Sequence, residues 1–570
     1  MKKLLLSVAI LAIIMPAMAM AGGYRSPDTD ELLKKIEDLS RELATMKQEL
    51  ATVKKERAYA TKAQLEALKE EQEETADTLE ELSENFDTLM TDGVGRFEFF
   101  GDYRFRLDST RVRTNSYQAM FMDPATGMPV SMKMRNEDIE NDTLYTNRLR
   151  LGMKVKASDN LTFKGRLTMY KIWGMESASK TSSGLFPMNG FSYDPNISRR
   201  PNDNTLRVEM AYVNWTNIAG MPVWFSIGRR PTVDGPPAQL RYNYDSRYAT
   251  PIALGIDWTF DGLTLGYAGD ALMLPGAKFR ICYGRGYESG LDYSGNGSGD
   301  LADTDLYGFS WDIINDREAH RFANLQFFRA ASIPNMMEGT MYMAPDMMLN
   351  QSAFNPMAVQ MMSPLMDTEM AVMVDANKQV GDIYQGSVVY MDEFRGVNWF
   401  VSAALSRTDD RGTKNGIHQS FGLLTNPGES KENHWGWAAY AGARVPVDML
   451  RSKIGFEYNY GSRYWISFTP AADDVYSSKL ATRGHVAELY WIWDLPETPL
   501  SKYAKAFVRA GYQYYWFNYT GSGNWMGKPI DVDKVDMNMM DPSNWDYATA
   551  FGAAPIDHMD NLYLTFEIFF

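Results

Sequence analysis

Phe97-Glu98-Phe99-Phe100-Gly101-Asp102-Tyr103-Arg104-Phe105-Arg106-Leu107-Asp108 alternates apolar with polar side chains almost residue by residue. Side chains along a β-strand point to opposite faces with a period of two. One face therefore carries Phe97, Phe99, Tyr103, Phe105 and Leu107, and the other Glu98, Asp102, Arg104, Arg106 and Asp108. The pattern returns with Leu149, Leu151, Met153 and Val155 against Arg148, Arg150, Lys154 and Lys156. It returns again with Leu161, Phe163, Leu167 and Met169 against Lys164, Arg166 and Thr168. Runs of roughly ten or more residues exceed the five or six usual in globular strands and match those that cross an outer membrane.

Working outward, the connections between such runs alternate in length. Long ones cover 109–143, 174–204, 231–251, 288–303, 333–381, 408–432, 463–481 and 518–560. Short ones cover 158–160, 217–222, about 268–276, 315–319, 391–396, 447–451 and 495–501. This asymmetry predicts an all-β, antiparallel transmembrane barrel of about 16 strands over 93–570, with long loops outside and tight turns facing the periplasm. Asp261-Gly262 has the chemistry of a two-residue hairpin turn. Taking it as one gives the alternative of 18 strands; otherwise 252–267 is a single strand with an irregularity. Leu562, Leu564, Phe566, Ile568 and Phe570 occupy alternate positions to the end of the chain and predict a closing strand. Trp173, Trp215, Trp258, Trp311, Trp399 and Trp493 fall near predicted strand ends, where interfacial aromatic girdles belong.

The N-terminal side reads differently. Lys2 and Lys3 precede an apolar run from Leu4 to Met15, followed by Ala17-Met18-Ala19 and Ala19-Met20-Ala21. That order is a signal peptide over 1–21, which places the mature chain outside the cytoplasm. Ser26-Pro27 starts a helix, and Leu32, Ile36, Leu39, Leu43, Met46, Leu50 and Val53 follow at spacings of four and three. After a one-residue slip the repeat resumes at Leu65, Leu68, Gln72, Thr75, Leu79, Leu82, Phe86 and Leu89. The repeat predicts a periplasmic α-helical coiled coil over 22–92. Residues 28–92 hold nineteen acidic and nine basic side chains, so most of the net charge of −15 belongs to this solvated segment. Such acidity argues against nucleic acid as a partner.

A coiled coil ahead of a sixteen-stranded barrel resembles the coiled-coil-bearing outer-membrane porins related to the phosphate-selective porins O and P. Glu209-Met210-Ala211-Tyr212-Val213-Asn214-Trp215, Ile227-Gly228-Arg229-Arg230-Pro231 and Glu457-Tyr458-Asn459-Tyr460-Gly461-Ser462 are similar to segments of porin-like proteins of anaerobic Gram-negative bacteria. The resemblance implies a passive channel for small hydrophilic solutes, a homotrimer, and a terminal Phe570 presented to the barrel-assembly machinery. The expected surroundings are outer-membrane lipid, with peptidoglycan a candidate contact of the coiled coil. No lysine-rich loop of a dedicated phosphate channel is present.

The residues give little to other classes. The five histidines lie in no His-Glu-x-x-His, and neither Gly-x-Ser-x-Gly nor Cys-x-x-Cys-His occurs. No enzyme, cofactor or metal is expected; a barrel enzyme and a sheath around an electron-transfer cytochrome stand as alternatives. Twelve methionines in 333–381 are read as packing for a loop that enters or caps the pore, with soft-metal binding the lesser reading. Residues 292–300 bear a faint likeness to a calcium loop. The expected pore-lining set is Arg104, Arg106, Arg148, Arg150, Lys154, Lys156, Lys164 and Arg166, since charges facing lipid would be costly. Against Glu98, Asp102 and Asp108 this makes a basic wall, which favours anions.

Overall fold

The computed structural model describes residues 27–55, 96–122, 126, 129–174, 201, 203–230, 233–244, 253–269, 274–288, 302–334, 379–411, 422–426, 432–469, 473–496, 505–536 and 554–570. The signal peptide, the second half of the coiled-coil segment, most of the methionine-rich loop and the calcium-like loop lie outside the described residues. The chain divides into two compact units, 1–99 with 153–159, and 100–152 with 160–570.

In the first unit a helix, α1 (Pro27–Lys55), begins at the proline the sequence marks as its start. Ile36, Leu43 and Met46 of the predicted seam are buried within the one chain, while the residues between them are largely exposed. Among the described residues no helix is long and apolar enough to cross a membrane.

In chain order the strands are β1 (Phe97–Thr114), β2 (Tyr117–Met122), β3 (Pro129–Met134), β4 (Asp138–Lys156), β5 (Leu161–Ile172) and β6 (Arg207–Trp215). Next come β7 (Val223–Arg230), β8 (Phe260–Tyr267), β9 (Lys278–Tyr287), β10 (Thr304–Asp316), β11 (Arg321–Pro334) and β12 (Gln379–Phe394). The last are β13 (Val397–Asp410), β14 (Trp435–Val447), β15 (Ser452–Gly461), β16 (Gly484–Asp494), β17 (Lys505–Phe517) and β18 (Ile556–Phe569). All but β2 and β3 form one closed antiparallel barrel of sixteen strands, each beside its neighbour in sequence, with β18 returning to β1. Closure puts Phe105 opposite Phe566 and Leu107 opposite Leu564. The last residue completes the seam, Phe570 N–H donating to the Gly101 carbonyl at 3.0 Å. No barrel edge is left to pair with another chain.

Three expectations are corrected. β2 and β3 form a separate hairpin inside the first long connection. Residues 252–267 are not one strand: only 260–267 joins the barrel, and the described residues before it bury inward, with Asp257 N–H donating to the Phe468 carbonyl. Asp261 and Gly262 sit mid-pairing between Arg229 and Gly228 on one side and Arg285 and Gly284 on the other, so no turn forms there. Trp258 is likewise no girdle residue, being 4% exposed against Phe468 and Trp525, whereas Trp173 and Trp215 are exposed as a girdle requires.

The barrel is inverted relative to a soluble protein. Leu151, Ile227, Leu265, Ile281, Leu405, Phe456, Leu489 and Leu562 point outward and are exposed. Arg104, Arg148, Glu209, Asp312, Glu457, Glu488 and Arg509 point inward and are buried. Inward-facing Tyr490 and Tyr563 lie over glycines of the adjoining strands, so a Cβ on Gly455 would come 2.0 Å from the Tyr490 ring and one on Gly511 2.3 Å from Tyr563. Gly511→Val is therefore expected to displace the Tyr563 hydroxyl from Glu488, which it now meets at 2.6 Å. Overpacking of this kind costs about 1–3 kcal/mol. Equilibrium unfolding in detergent checks it, and an unchanged midpoint would refute the close packing.

Candidate functional site

Five of the predicted wall residues, Arg104, Arg106, Arg148, Arg150 and Arg166, gather on the inner face, but they do not face open water. Arg104 is buried, pairs with Asp473 and donates to the Tyr170 hydroxyl at 2.9 Å. Arg106 grips Asp108 through two nitrogens at 2.7–2.9 Å and donates to the Asp473 carbonyl at 2.6 Å. Arg148 pairs with Asp102 at 2.8 Å and stands 3.8 Å from Glu567. Arg150 and Arg166 share Glu209 and Asp234, at 3.4 and 3.1 Å for the first and 2.9 and 3.0 Å for the second. Lys164 is half-buried. In the other unit Lys154 pairs with Glu98 at 2.6 Å, and Lys156, ending β4, is exposed.

Period-two alternation finds the face a charge occupies, but not the acid that meets it across the barrel. Two of those acids, Asp234 and Asp473, come from connections predicted as external loops, while Asp102, Asp108, Glu209 and Glu567 stand on the strands. Residues 233–244 and 473–482 are buried almost throughout and reach strands far apart in sequence, so they fold into the lumen. Arg241 pairs with Glu488 at 2.9 Å and Asp474 at 3.2 Å. Lys479 pairs with Glu457 and Glu488, and Tyr440 donates to Glu457 at 2.7 Å. Arg509 meets Glu567 at 3.1 Å and Asp473 at 3.2 Å.

Asp473 is the centre of this network. Burial alone would raise its pKa, but the guanidiniums of Arg509, Arg104, Arg106 and Arg241 outweigh it, and the carboxyl sits well below its ordinary value. A cavity of about 20 Å³ remains between Arg241, Asp257, Tyr440, Asp473 and Lys479. That is room for one water. A separate apolar plug joins Trp258, Leu423, Leu424, Ile466, Phe468, Trp525 and Met526 to Ile333 and Ile383 of the wall. The lumen is thus narrowed by its own loops through one charged and one apolar contact region. Among the described residues no group of three or more His, Cys, Asp or Glu could hold a metal ion.

A family model described as "Protein of unknown function (DUF3373)" matches residues 138–570, from the start of β4 to the C-terminus. No curated protein matches the sequence. Among solved structures, the chain is similar to an anion-selective porin from Comamonas acidovorans, with 9% identity over 83% of this chain and 99% of that one, at a TM-score of 0.38. It is similar to OmpT, an outer membrane protein of Vibrio cholerae, with 10% identity over 83% and 99% and a TM-score of 0.34. The outer membrane channel DcaP of Acinetobacter baumannii gives 11% identity over 83% and 96%, and a TM-score of 0.34. Likeness at that level does not carry a function.

Proposed function

Because the chain belongs to the family described as protein of unknown function (DUF3373), we propose a function from the barrel's own geometry: an outer-membrane channel for passive diffusion of small hydrophilic solutes. One observation carries this reading, the apolar exterior set against a charged interior in a closed sheet of sixteen strands. Only a bilayer makes that exterior stable, and barrels of this size enclose an aqueous passage unless loops fill it. Loops 233–244 and 473–482 narrow the passage here, so we expect small, voltage-sensitive conductance. Planar-bilayer recording of the purified protein is the test, and no ion-conducting openings at any voltage would end the channel reading. The cytochrome sheath is disfavoured, since the same loops occupy the space a haem protein would need.

Anion preference is the finer part of the proposal, and the ion pairing weakens it. With Asp473 and Asp234 set against the arginines, a modest chloride preference is expected across a KCl gradient. Asp234→Asn, which leaves Arg150 and Arg166 with Glu209 as their one remaining acid of the pair, should shift the reversal potential further toward chloride. A cation preference in the native protein would overturn it.

Export through a signal peptide over 1–21, assembly recognition of Phe570 and trimer formation through 22–92 belong to the same proposal. Burial of Ile36, Leu43 and Met46 within one chain counts against the trimer. A peptide covering 26–92 that sediments as a monomer at high concentration would remove it.

A further inference from the structure

We infer that the inner wall of β7 to β11 holds a binding site for a small organic anion, a carboxylate with a short apolar tail, centred on Arg230. By alternation from buried Ser226, Arg230 faces inward. Its side chain lies back along β7, Nη1 donating to the Ser226 carbonyl at 3.4 Å, with the guanidinium 5.9 Å from the centre of the Trp224 ring. Among the described residues no carboxylate pairs with it. Every neighbouring case differs: Arg150 and Arg166 have Glu209 and Asp234, and Arg280 has Asp312 at 3.4 Å. Arg230 is half-buried, where a charge is less well hydrated than in open water, so an anion brought to it would supply the counter-charge that the described residues do not.

The room for that anion exists beside it. A cavity of about 70 Å³ is lined by Arg230, Thr264 and Cys282 at its polar side and by Ile256, Phe260 and Leu306 elsewhere. A level of glycines runs beside it, of which Gly284 lines the cavity. Gly228 pairs with Gly262 and Gly262 with Gly284, so three adjacent strands present no side chain at one level. A Cβ could not be added there cheaply, as it would fall 2.4 Å from the Ala211 carbonyl oxygen at Gly228 and 2.1 Å from that of Tyr283 at Gly262. Gly228 also holds φ at 121°, which other residues rarely adopt.

The lining selects the ligand class. A guanidinium fork matches a carboxylate through two parallel hydrogen bonds. The Thr264 hydroxyl, now donating to the Cys282 sulfur at 3.4 Å, is a second donor. Ser310 and Gln326 also reach the lining, but the rest of the wall, with Ile256, Phe260, Leu306 and Phe328, is mostly hydrocarbon and suits two to four carbons of tail better than the further oxygens of an inorganic dianion.

Cys282 is the only cysteine of the chain and lines the cavity, so the native protein carries its own reporter. The experiment follows thiol modification of the folded protein in detergent, using methanethiosulfonates that bear a sulfonate, a trimethylammonium or no charge. The sulfonate reagent should react roughly tenfold faster than the ammonium one, as a unit charge a few ångström away produces in water. Millimolar butyrate should slow all three, and Arg230→Gln should equalise the rates of the charged pair when each is taken relative to the neutral reagent. Equal charged rates in the native protein, no protection by butyrate, or a Cys282 that reacts with none of the reagents would each overturn the site. Because labelling needs no conduction, its failure is distinct from that of the channel reading on which the solute's route depends.

Discussion

Asp473→Asn is expected to destabilise the folded barrel by about 3–5 kcal/mol, the usual consequence of removing one partner from a buried ion pair. The carboxylate is 3% exposed and lies within ion-pair distance of four guanidiniums, those of Arg104, Arg106, Arg241 and Arg509. Asn keeps the volume but removes the charge, leaving those cations to face one another. Asp261→Asn is the control: its pair with Arg229 at 3.3 Å is largely exposed. It should cost no more than about 1 kcal/mol. Equilibrium unfolding in urea with lipid vesicles measures both, and a loss at Asp473 as small as at Asp261 would refute the network's importance. The pH dependence has a definite sign. A depressed folded pKa means the contribution is complete above the ordinary carboxylate value of about 4 and is lost as pH falls from there toward the folded value. The gap between native protein and variant should therefore hold at neutral pH and narrow only in strong acid.

The contrast between what alternation foretold and what it missed has one physical cause. Strand count, the alternation of short and long connections, and closure were legible because each is local: one face apolar, one charged, and a short or long connection between. The length argument that made Asp261-Gly262 part of a strand was right, since a turn there would have put later long loops on the wrong side. The inward loops were not legible. Asp473 meets Arg104 at a separation of 369 residues, and nothing within either stretch announces the other. The segment around Asp473 was polar enough to pass for a solvated loop, because it exchanges water for arginines. The same blindness inflated the basic wall, whose strand charges were counted without Asp234 and Asp473. Hairpin β2–β3 escaped because its six-residue strands are too short to stand out inside a long connection.

Leu489→Arg should cost about 2–4 kcal/mol in a bilayer, the range for a basic residue at the midplane of a membrane barrel. Leu489 is central in β16, between inward Glu488 and Tyr490, and is 56% exposed. Across the sheet it faces Phe456 on one side and Tyr512 on the other, both exposed, so it stands in a continuous apolar band. In water that much exposure makes a leucine dispensable, and arginine would change stability by no more than about 0.5 kcal/mol. In lipid the guanidinium must either be dehydrated or drag headgroups and water toward it. The two environments thus predict opposite outcomes for one substitution that touches no lumen residue. Folding equilibrium into lipid vesicles reads the difference directly. A variant as stable as the native protein would show that this surface does not meet lipid, and the outer-membrane reading would fall with it.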